Sequence, residues 1–120
     1  MSELYRSDRY FKVWQYTVSH RRLLLRSTLD NPPSTRIDVH FGGVSLMLLR
    51  PYYEGLVIRE GTEKEHRLVA SEYGVRVDLG SLFILGQDLS SFVVSGKPQW
   101  HEDEGEFGDP SWFGHMIGTP

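Results

Sequence analysis

Residues 36–41 read RIDVHF. Ile37, Val39 and Phe41 fall on one side of an extended chain and Arg36, Asp38 and His40 on the other. Side chains alternate across a strand, so this segment buries one face and presents a row of ionisable groups on the other. The polar row is expected to be solvated, its charges pairing with neighbouring strands. Upstream, residues 10–18 (YFKVWQYTV) are rich in aromatic and β-branched side chains, which suit a pleated surface. Phe11 and Val13 point one way and Trp14, Tyr16 and Val18 the other, so this strand is expected to be covered on both faces. A polar connection at residues 19–22 (SHRR) leads into residues 23–29, forming a hairpin. Asn31-Pro32-Pro33-Ser34 is a loop, because consecutive prolines supply no ladder N–H groups.

Downstream, Gly42-Gly43 suits a tight turn or a bulge, since glycine tolerates positive φ. Residues 44–49 then read as a buried strand, Tyr52-Tyr53-Glu54-Gly55 as a turn, and residues 56–59 as a short strand. Val75, Val77 and Leu79 alternate with Arg76 and Asp78, another strand pattern. Residues 82–85 and 92–94 flank Gly86-Gln87-Asp88, which predicts a hairpin. One stretch carries helix signals, with a strand over residues 66–70 entering a turn at 72–74 as the alternative. Thr62 followed by Glu65 is a capping box, Val69 and Tyr73 lie on one face, and Gly74 is a stop.

These patterns predict a mainly β, single-domain antiparallel β-sandwich or barrel of about seven to eight short strands, with at most one short helix near 63–73. A parallel α/β fold needs crossover helices, and the segments between these strands leave no room for them. At 120 residues the chain is one domain's worth. The sequence divides into a β-rich body, residues 1–98, and an acidic, aromatic-bearing C-terminal segment, residues 99–120.

Composition removes several function classes. There is no cysteine, so disulfide scaffolds, thiolate zinc sites, iron–sulfur centres and cysteine nucleophiles are excluded. No apolar run approaches the roughly 20 residues of a membrane helix. The first ten residues (MSELYRSDRY) have no apolar core of a signal peptide, and a soluble, cytoplasmic protein is expected. Residues 1–60 hold nine Lys/Arg against six Asp/Glu, and residues 61–120 four against ten. Neither half carries the basic density of a nucleic-acid domain. The basic tip His20-Arg21-Arg22 is too small to change that. Phosphate-binding loops fail, since Gly96-Lys97 is followed by Pro98. A nucleophile elbow, a zinc-protease helix and a calcium loop fail as well, the last two at Gly105. No metal and no cofactor is expected.

Two readings of function remain. The first is a non-catalytic protein-binding module, self-associating or immunity/antitoxin-like, with contacts from Trp100, Glu102, Asp103, Glu104, Glu106, Phe107, Trp112 and Phe113. Acids steer a basic partner, and aromatics supply desolvated anchors. Its partner is another protein or a second copy, not nucleic acid or a membrane. The second is a small-molecule-binding β-barrel or small enzyme using Asp38 and His40, which sit two apart on one strand face. There a carboxylate could orient an imidazole, with Trp14, Tyr16, Tyr52 and Tyr53 as walls.

Overall fold

A computed structural model of the chain describes residues 3–27, 35–104, 111 and 113. Its strands are β1 (Glu3–Thr17), β2 (Arg22–Ser27), β3 (Arg36–Phe41), β4 (Leu46–Leu48), β5 (Tyr52–Glu60), β6 (Leu82–Leu85), β7 (Phe92–Val94) and β8 (Gln99–Asp103). They form one antiparallel sheet in the order β4-β7-β6-β5-β1-β2-β3-β8, with a single helix, α1 (Glu63–Tyr73), among the described residues. The mainly β, antiparallel architecture expected from the alternation is therefore present, as one continuous sheet that is not closed by hydrogen bonds.

The sheet curls because β1 bends. Its register slips between Glu3 and Tyr5 and between Ser7 and Tyr10 against β5, and between Val13 and Gln15 against β2. Such bulges bend a strand and increase its twist. The concave side gathers Phe11, Leu23, Leu25, Val39, Phe41, Ile58, Phe83 and Val93 into one core. On the convex side α1 sets Val69 on Leu82, Ile84, Phe92 and Val94. Strands β6 and β7 are thus buried on both faces, which explains their unbroken apolar sequence.

The ends of the curled sheet are held by other means. Gly96 N–H donates to the Gly42 carbonyl at 2.8 Å, and Val44 N–H to that of Arg21 at 2.9 Å. At the opposite end the Trp100 ring on β8 packs 4.9 Å from Tyr5 on β1. Beside it Arg9 of β1 donates to both the Thr35 hydroxyl and its carbonyl, and that hydroxyl donates to Glu102 at 2.6 Å. Side chains thus bridge β1 and β8 across two intervening strands.

Several local expectations change. Residues 52–55 are not a turn but the first half of β5, with Gly55 at φ +86° lying opposite the β1 bulge. Glycine is what that left-handed position requires. Residues 75–79 form no strand. They follow α1, and Val77 packs with it against the cluster of Leu82, Ile84, Phe92 and Val94 on the face of the sheet instead of entering a ladder. Residues 44–49 shrink to the half-exposed edge strand β4, because only Leu46, Met47 and Leu48 find partners on β7. Residues 99–103, at the start of the acidic segment, are β8 and pair with β3. The loop at residues 31–34 lies outside the described residues.

Candidate functional site

The RIDVHF strand places its polar side chains on the convex face, as alternation requires, but that face is not solvated. Asp38 is 1% exposed and Arg26, opposite it on β2, is also 1% exposed. Arg26 donates from Nε to Asp38 Oδ1 at 2.7 Å and from Nη2 to Oδ2 at 3.1 Å. Trp14 lies over the guanidinium, 4.9 Å from ring centroid to its carbon. Arg36 is likewise buried and makes two contacts with Asp103 of β8, at 3.0 and 3.1 Å. A two-point arginine–carboxylate contact is the geometry that makes burial of two charges tolerable. The row expected to be solvated is instead covered at Arg36 and Asp38, where its charges are paired within the protein. Alternation reports which way a side chain points, not what lies over it.

His40 continues the row. It pairs with Gln99 of β8, and its ring stacks on Phe113 at 5.0 Å and 19°. Among the described residues neither ring nitrogen has a hydrogen-bond partner of good geometry. Burial holds the imidazole below its ordinary value of 6.5, and the positive charge of Arg22 adds to this, while the nearby Gln99 side chain opposes it. Phe113 and the buried Ser111 show that the chain has come back against the sheet after β8.

The sequence-derived partner residues divide into groups. Trp100 is 44% exposed and leans on Tyr5. Glu102 faces Arg9 at 3.7 Å and accepts from Thr35. Asp103 is bound to Arg36, with His101 3.7 Å away. Glu104 is exposed and makes no ion pair among the described residues. Phe113 covers His40, whereas Glu106, Phe107 and Trp112 lie outside the described residues.

The four expected pocket walls are not brought together. The β1 bulge changes the phase of the strand, so Tyr16 sits opposite the inward-facing Leu23 while Trp14 lies outside over Arg26. Tyr53 is in the concave core, its hydroxyl 2.7 Å from that of Ser91. Tyr52 points outward, where it meets a residue that sequence reasoning did not single out. Tyr10 stacks on Tyr52, centroid to centroid 5.2 Å at 19°, with the two rings 43% and 48% exposed. Lys12 lies beside them, its ammonium 5.9 Å from the Tyr10 centroid. The signal that could have found the pair is alternation continued through residues 52–54, which the turn assignment interrupted.

Open grooves lie elsewhere among the described residues. One, of about 220 Å³, runs between Leu68, Tyr73 and Leu89; another, of about 390 Å³, between Arg6, Arg59 and Gln87. Neither touches Asp38 or His40. Among the described residues no three His, Asp or Glu side chains converge as a cation site requires, and no helix is long and apolar enough to cross a membrane. Compared with protein-family models, curated proteins and solved structures, the chain matches none of them.

Proposed function

We propose that this chain is a non-catalytic module that works by binding a protein chain. One observation carries the proposal: two tyrosines stacked on the convex sheet face, each nearly half exposed, with a lysine and a glutamate beside them. Tyrosine presents a large contact area with little side-chain entropy to lose, and aromatic residues are enriched where interfaces concentrate their energy. Trp100 is a further exposed aromatic, on the edge strand β8. The Asp38–His40 alternative draws no comparable support. The Asp38 carboxylate is held at two points by Arg26 and 1% exposed, which favours a structural role for it.

The test is photo-crosslinking in the native cell. p-Benzoylphenylalanine is introduced at Tyr52 in one variant and at Trp100 in another, an aromatic for an aromatic in each case. A covalent adduct to a protein chain is expected from at least one position. No adduct from either, with both variants folded, overturns the proposal.

A further inference from the structure

The tyrosine face has a symmetry that identifies its occupant. In β1 the sequence Tyr10-Phe11-Lys12, and in β5 Tyr52-Tyr53-Glu54, alternate so that Phe11 and Tyr53 enter the core. The other four side chains are left outside and exposed. The register pairs Tyr10 with Glu54 and Lys12 with Tyr52. The four therefore occupy the corners of a small rectangle, about 5 Å across the strands and 7 Å along them. Tyrosines hold one diagonal and opposite charges hold the other.

A two-fold axis lying in the plane of contact along the tyrosine diagonal maps each tyrosine onto its own copy. The same operation carries each charged corner to within about 3 Å of the opposite one, setting Lys12 of each chain within reach of Glu54 of the other. An interface that obeys two-fold symmetry must be self-complementary in this way. Had both charged corners the same sign, the same packing would be repelled.

We propose that the Tyr10–Lys12–Tyr52–Glu54 face docks a second copy of this chain. The inference rests on the protein-binding reading above and specifies its partner. The rectangle is small, so the pair is weak and transient. A formal net charge of −3 adds little long-range repulsion.

Sedimentation equilibrium of the full chain, from about 10 μM to 1 mM, is the deciding experiment. A concentration-dependent dimer is expected. Lys12→Glu makes both charged corners acidic and Glu54→Lys makes both basic, so each variant alone should associate roughly tenfold or more weakly. An equimolar mixture of the two restores both cross-pairs and should associate as well as the unsubstituted chain. Both positions are exposed, and circular dichroism checks that the fold is kept. A chain that stays monomeric to about 1 mM, single variants that associate undiminished, or a mixture no stronger than its parts each overturn the proposal. If Tyr52 or Trp100 then crosslinks to a different protein, the binding reading stands and only the second copy is excluded. With no adduct at all, both fall.

Discussion

The Asp38 carboxylate accepts from two nitrogens of Arg26 beneath the Trp14 ring, and neither ionic side chain is more than 2% exposed. Removing two charges from water costs several kcal/mol apiece, and mutual attraction returns this only while both partners are present. Asp38→Asn should therefore cost about 3–5 kcal/mol in denaturant unfolding, because it leaves a buried guanidinium without its carboxylate. The double change Arg26→Met with Asp38→Leu should recover most of that loss. If Asp38→Asn unfolds within about 1 kcal/mol of the parent, the pair does not hold the convex face together. The register made Asp38 and His40 legible as neighbours on one side of a strand. That Asp38 is spoken for was not legible, since Arg26 lies 12 residues away in sequence and is brought opposite by the β2–β3 pairing.

At the scale of elements, α1 shows how much a local signal can carry. Thr62 Oγ1 accepts from Glu65 N–H at 3.1 Å, and Glu65 Oε1 accepts from Thr62 N–H at 2.9 Å, while Gly74 ends the helix at φ +64°. All three residues mark the helix in the sequence. Glu65 has a further partner that does not show there: Arg59 of β5 binds its two oxygens at 2.7 and 2.9 Å. Arg59, with help from the Thr62 backbone N–H, brings the Glu65 carboxyl from 4.5 down to about 2. A depressed carboxylate stabilises the fold fully above its unfolded value, and the benefit is lost as pH falls from 4.5 toward about 2. Allowing for solvent screening, Glu65→Gln should cost about 1–2 kcal/mol at neutral pH. Its stability should also lose part of the parent's decline across that acid window, as thermal melts at stepped pH would read. A parallel decline in both proteins would show that Glu65 does not bind the helix to β5.

For the whole molecule, the curl of the sheet matters more than the number of its strands. β8 has only β3 as a strand neighbour among the described residues, yet Trp100 on Tyr5 and Glu102 with Thr35 and Arg9 draw it toward β1. These contacts hold β8 over β2 and β3 against a strand with which it shares no ladder. Trp100→Ala should raise hydrogen exchange at the β8 amides about tenfold or more, while the doubly buried β6 and β7 amides keep theirs, since edge elements open independently of the core. Unchanged exchange in β8 would mean that β3 alone holds it.

By itself the sequence determined the mainly β, antiparallel class, the cap and stop residues of the one helix at Glu63–Tyr73, and the apolar runs of the β6–β7 hairpin. Each is written in the period, caps and turns of contiguous residues, where local physics acts. Tertiary structure decided which faces are covered, where alternation slips phase at the three β1 bulges, and that residues 52–55 extend β5. It also spent the charges of Arg26, Arg36 and Arg59 on carboxylates 12, 67 and 6 residues away. Burial and pairing are properties of the neighbours a residue acquires on folding, and the curl of one bent strand chooses those neighbours.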